Sequence, residues 1–145
     1  MTLRLPVAAL LLALLAACQT ATAPASTTPD EAQAYAGVGA EEQLRFTGTE
    51  PFWGGEVRAG RMVYTSPDNQ KGETVDISRV VGSGGIAFSG HLAAGAFVMT
   101  ARLAGCSDGM SDRTYPFTVT IEFTGYTLRG CGWTARRPFA AEAGG

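Results

Sequence analysis

The residues of this chain best able to do chemistry crowd into one stretch, Cys106-Ser-Asp-Gly-Met-Ser-Asp112-Arg-Thr-Tyr-Pro-Phe117. A hydrolase would need Ser107 or Ser111 as nucleophile, Asp108 or Asp112 as orienting acid, and a histidine as base. The chain has a single histidine, His91, and neither serine stands in a Gly-x-Ser-x-Gly elbow. His91 also falls on the polar side of an alternating run whose other side carries Ile86, Phe88 and Leu92. Asp108 and Asp112 lack the spacing of an EF-hand, and two carboxylates are too few to cage a hard cation. Asp108-Gly109 reads instead as a turn. We therefore assign no catalytic residue, no metal site and no cofactor, and the chain reads as a non-enzyme.

A second segment, Phe46-Thr-Gly-Thr-Glu-Pro-Phe-Trp53, sets three aromatic residues within eight positions. The segment, with Trp53, could form a ligand lip, because Trp and Phe rings offer wide contact area at small entropic cost. The alternative, favoured here, is that the cluster plugs the end of a barrel. Glu50 could contact a ligand or be satisfied within the fold.

These segments need strands to hold them. Period-two alternation runs from Thr114 to Phe123, with Tyr115, Phe117, Val119, Ile121 and Phe123 on one face. Pro116 cannot donate to a ladder, which predicts that this end of the strand lies at a sheet edge. Further alternation joins Val75, Ile77, Arg79 and Val81 in one run, then Ile86 to Leu92, then Phe97 to Leu103. Ala59-Gly60, Ser83-Gly84-Gly85, Ala93-Ala94-Gly95 and Thr124-Gly125 supply turns between them. The fold class is all-β: a small antiparallel barrel, or a sandwich, of about seven or eight short strands with one disulfide.

The start of the chain is an address. Fourteen of the first 17 residues are hydrophobic, Arg4 precedes the apolar run, and only Pro6 interrupts it. About 13 apolar residues rise about 20 Å as a helix, short of the roughly 30 Å of a hydrocarbon core. That is the length of a signal peptide's apolar region. Leu15-Ala16-Ala17-Cys18 resembles the lipobox of bacterial lipoproteins. The resemblance implies cleavage before Cys18, a diacylglyceryl thioether on its sulfur and acylation of the new amino group. Several acyl chains together anchor stably where one does not. Gln19, not Asp, follows the cysteine; by resemblance to the sorting rule of enteric bacteria, this implies an outer-membrane lipoprotein facing the periplasm.

With Cys18 lipidated, Cys106 and Cys131 remain, and an oxidising compartment would join them. The domain plan is a signal peptide at 1–17, a lipidated cysteine and disordered tether at 18–40, a β-domain at 41–139 and a disordered tail at 140–145. The tether is rich in Ala, Thr, Pro and Ser, with Tyr35 its one aromatic residue. Such a composition buries too little apolar surface to offset ordering. Net charge is −2, from 11 basic and 13 acidic residues. That leaves no cationic surplus for phosphates, so nucleic acid is excluded as the main partner.

Gly48-Thr-Glu-Pro-Phe-Trp53, Cys106-Ser-Asp-Gly-Met-Ser-Asp112, Tyr115-Pro116 and Leu128-Arg-Gly-Cys131 together resemble an uncharacterised family of small bacterial envelope lipoproteins. This resemblance implies a single β-rich periplasmic domain and brings no activity. Ser111-Asp-Arg-Thr-Tyr115 also resembles the Ser-Gly-x-x-Tyr loop of periplasmic inhibitors of c-type lysozyme, with Asp112 in place of the glycine. In those inhibitors a basic residue on a following strand assists, a part that Arg129 would take here. The candidate binding residues are accordingly Ser111, Arg113, Tyr115, Arg129, Asp108, Glu50 and Trp53. The expected partners are the membrane, through the N-terminal lipid, and an envelope protein or cell-wall ligand, or else lysozyme.

Overall fold

The computed structural model describes residues 37–82 and 84–141. The expected signal peptide, Cys18, most of the tether, the turn residue Ser83 and the last four residues lie outside the described residues. The domain is all-β and antiparallel, as the alternation implies, but with more strands than expected. They are β1 (Leu44–Gly48), β2 (Trp53–Arg58), β3 (Arg61–Ser66), β4 (Asn69–Asp76), β5 (Ser78–Gly82), β6 (Gly85–Leu92), β7 (Gly95–Ser107), β8 (Arg113–Phe123), β9 (Tyr126–Thr134) and β10 (Ala140–Ala141). The ladder runs β4-β3-β2-β1-β9-β8-β7-β6-β5, with β10 paired to β8.

This single sheet curls into a half-barrel. Its two end strands, β4 and β5, are consecutive in the chain, separated only by Ile77. The expected single run from Val75 to Val81 is therefore two strands on opposite sides of the seam. Across that seam the Glu73 carboxylate accepts the Ala93 backbone N–H at 2.9 and 3.1 Å. Ile77 donates its N–H to the Gly60 carbonyl at 2.9 Å. The turn at Ala59-Gly60 has φ of 49° and 76°, positive at both positions as a two-residue hairpin requires. Arg58 pairs with Arg61 across it.

The concave side buries Leu44, Phe46, Met62, Phe88, Met99 and Ile121, each no more than 2% exposed. Phe117, Val119, Ile121 and Phe123 share this core, as the period predicts. Tyr115 does not. It is buried, yet it packs outside the core, its ring centroid 5.5 Å from Trp133 and 5.4 Å from Phe139. The cause lies at Pro116, which sits between β7 and β8 pairs rather than at an edge. Leu103 pairs with Phe117 and Cys106 with Tyr115, so β7 carries two residues, Ala104 and Gly105, against one proline. A bulge of this kind bends the strand and spares the missing donor.

Beyond the bulge the tip of the β7–β8 hairpin folds over the convex side of the sheet. Cys106 on β7 is bonded to Cys131 on β9 with their Cα atoms 5.5 Å apart. Strands flanking a third are about 9.5 Å apart in a flat sheet, so only the fold-over brings these two sulfurs together. The expected disulfide is therefore present, as a clamp between the hairpin tip and β9. The packed chain also exceeds the expected boundaries at both ends. Val38, assigned to the tether, is 3% exposed within the core. Ala140 and Ala141, assigned to the tail, pair with Thr114 and Arg113.

Candidate functional site: a hydroxyl-lined cleft beside a sealed cover

The conspicuous stretch from Cys106 to Tyr115 forms a cover over β9. The Asp108 carboxylate organises it. One oxygen accepts the backbone N–H groups of Met110 (3.0 Å) and Ser111 (2.8 Å). The other accepts the Ser111 hydroxyl at 2.8 Å and the Tyr115 hydroxyl at 3.1 Å. Those backbone donors, followed by the serine and tyrosine hydroxyls, hold the Asp108 carboxyl far below the ordinary carboxylate range. Ser107 accepts the Gly109 N–H at 3.2 Å. Beneath, Tyr115, Trp133 and Phe139 form a triangle of rings, and the Arg113 guanidinium lies 4.6 Å from the Phe139 centroid.

The structure thus brings together Ser111, Arg113, Tyr115 and Asp108 among the sequence-selected residues. Arg129 is exposed on β9, two residues from the disulfide-bonded Cys131, and among the described residues it makes no hydrogen bond or ion pair with this group. The Ser111 hydroxyl, exposed as a side chain should be for inhibition, already donates to Asp108. His91 is also exposed; it pairs with Ala96, ten positions before Cys106 on β7, or about 33 Å of strand. No serine–histidine pair is assembled among the described residues.

The second conspicuous segment has a different outcome. Trp53 is 4% exposed, and its indole rests on two glycines from the two separate motifs. A Cβ on Gly48 would lie 2.1 Å from Trp53 Cε2; one on Gly130 would lie 2.8 Å from Cζ2 and 2.2 Å from the Thr47 carbonyl oxygen. Gly48-Thr-Glu-Pro-Phe-Trp53 and Leu128-Arg-Gly-Cys131 therefore serve one seat. Phe46 and Tyr64 complete it, with ring centroids 5.9 and 6.5 Å from the indole.

The preceding side chain, Phe52, in the turn that leads into β2, faces outward and is 63% exposed. Its loop carries Glu50 at φ 62°, a left-handed backbone that costs a non-glycine residue about 1 kcal/mol. Glu50 is exposed. The loop is tied to the cover by the Thr49 hydroxyl, which donates to the Asp108 carbonyl at 3.4 Å.

Phe52 and Trp53 border a cleft of about 450 Å³ that also involves Thr47, Gly54, Thr65, Ser66, Pro67 and Gln70. Its floor is one row across three strands, where Thr47 pairs with Gly54 and Gly54 with Thr65. Gly54 carries no side chain into the cleft, and a Cβ there would meet the Phe46 carbonyl oxygen at 2.9 Å. The Thr65 hydroxyl donates to the Gly54 carbonyl at 3.0 Å. Among the described residues, no ionisable side chain lines the cleft.

The sequence singles out Trp53 and Glu50 and includes Phe52 only as part of the aromatic segment, and it does not point to Thr47, Thr65, Ser66 or Gln70. The available signal was weak: Phe52 is the turn residue just before β2, and Thr65-Ser66 precede a Pro67-Asp68 turn. No family model, characterised relative or solved structure matches the chain.

Proposed function

We propose that this is a lipid-anchored domain of the bacterial envelope, held to the outer membrane through Cys18 and facing the periplasm. It binds an envelope component or protein partner at the cleft beside Phe52 and performs no chemistry on it. The observation that carries this reading is the cleft itself. It offers an exposed aromatic ring and several neutral polar side chains over a rigid three-strand floor, the mixture found in small-ligand sites. The Cys106–Cys131 bond is compatible with an oxidising compartment. The cover supports lysozyme inhibition less well than this reading, because the Ser111 hydroxyl it would use already donates to Asp108.

The test is a photo-reactive amino acid placed at position 52 of the full chain in growing cells, with position 98 on the opposite part of the sheet as control. The expected result is discrete adducts with an envelope component from position 52 only. Equal labelling from both positions would overturn the site. Turnover of an ester or cell-wall substrate that is lost in Ser111→Ala would overturn the non-catalytic role.

A further inference from the structure

Resting on that site, we propose that the occupant is a neutral saccharide, with one sugar ring stacked on Phe52 and its hydroxyl groups bonded by Thr47, Ser66 and Gln70. Four observations converge on this chemistry. The ring of Phe52 is 63% exposed, on a loop that Thr49 ties to the cover. An exposed ring at the border of a cleft is a ready stacking face for the C–H side of a pyranose. Among the described residues the cleft carries hydroxyls and one carboxamide and no ionisable group, so a phosphate, a carboxylate or an ammonium would be desolvated there without a countercharge from them.

Hydroxyl and carboxamide groups both donate and accept, matching sugar hydroxyls that do the same. Among the described residues, Thr47, Ser66 and Gln70 make no side-chain hydrogen bond with the protein, whereas Thr65 is occupied by the Gly54 carbonyl. The floor argues against a peptide strand. Thr47, Gly54 and Thr65 lie in β1, β2 and β3, whose backbone groups are paired with each other. An extended peptide that binds by strand addition needs free backbone groups at a sheet edge, and these three strands are interior to the ladder, so a ligand lying on this row is recognised through side chains. The volume, about 450 Å³, falls in the lower part of the range for small-ligand sites, roughly 300–1,000 Å³.

The test uses the full chain in detergent, titrated with four-unit oligomers of glucose and of N-acetylglucosamine and with a neutral four-residue peptide. Binding is read by the fluorescence of Trp53 and by magnetisation transfer to ligand protons. The expected result is saturable binding of at least one oligosaccharide. Phe52→Ala should weaken it by about tenfold or more, Phe52→Trp should retain it, and Gln70→Ala should weaken it by about threefold. Thermal unfolding of Phe52→Ala within a degree or two of the parent shows that the fold is intact. No binding of either oligosaccharide at 10 mM (about 3 kcal/mol at most), binding unaffected by Phe52→Ala, or saturation by the peptide alone would overturn the saccharide. Photo-adducts from position 52 to protein alone would also overturn it while leaving the binding site standing.

Discussion

The cover over β9 and the loop at the cleft are both polar, turn-rich and conspicuous in sequence, yet they resolve their polar groups in opposite ways. In the cover, Asp108 takes four hydrogen bonds from within the same ten residues. The disulfide and the Tyr115–Trp133–Phe139 rings hold it down. At the cleft, Phe52 stands free, and the hydroxyl and carboxamide groups face open volume. The lesson is that a dense motif of Ser, Asp and Tyr marks chemistry only where its groups are left with something to bind. In the cover they bind each other.

Several measurements would break or sharpen this contrast. The largest effect belongs to the clamp. Replacing both Cys106 and Cys131 by Ser should lower stability by about 3.5 kcal/mol, the chain-entropy value for a loop of this length, read by denaturant unfolding. Next is the seat of Trp53. Gly130→Ala places a methyl against the Thr47 carbonyl and the indole and should cost about 3 kcal/mol, with a change in tryptophan emission. A loss under 1 kcal/mol would mean the seat yields.

Smaller again is the bond inside the cover. Tyr115→Phe keeps the ring packing and removes the hydroxyl from Asp108, for an expected loss of about 1 kcal/mol. It should leave binding at the cleft unchanged. The end of the half-barrel where the chain enters supplies a pH test. The Glu42 carboxyl accepts from Arg136 and from the Gly39 N–H. Chiefly through Arg136, its pKa is lowered to about 2 against its burial. A lowered carboxylate pKa stabilises the fold fully above about 4.5 and progressively less as pH falls toward 2. Glu42→Gln should flatten that part of the stability profile. The smallest effect on folding is expected for Phe52→Ala, within about 0.5 kcal/mol, although it should have the largest effect on ligand binding.

Much of the fold was legible in the chain. Alternation located β6, β7 and β8, and Ala59-Gly60 and Thr124-Gly125 mark hairpins that pair Arg58 with Arg61 and Phe123 with Tyr126. The site was less legible. Trp53 was chosen and is in the wall, but Phe52 beside it entered only as part of the aromatic segment, because it lies in the turn just before β2, outside the strand's periodicity. Thr47, Thr65 and Gln70 are ordinary strand residues in separate parts of the sequence, and nothing local to any of them reports that β1, β3 and β4 meet around a cleft.

What the sequence by itself determined was the local grammar: strands of period two, positive-φ turns, and two cysteines free to join. Each depends on sterics or chemistry within a few residues. Which groups would be consumed and which left open was decided only by tertiary structure. The hairpin bends where Pro116 faces Ala104 and Gly105, carrying Tyr115 out of the core and Cys106 to Cys131. Gly48 and Gly130, 82 positions apart, make one slot for Trp53, and Phe52 in the turn before it faces solvent. Close packing of distant backbones sets those outcomes, and no single segment contains them.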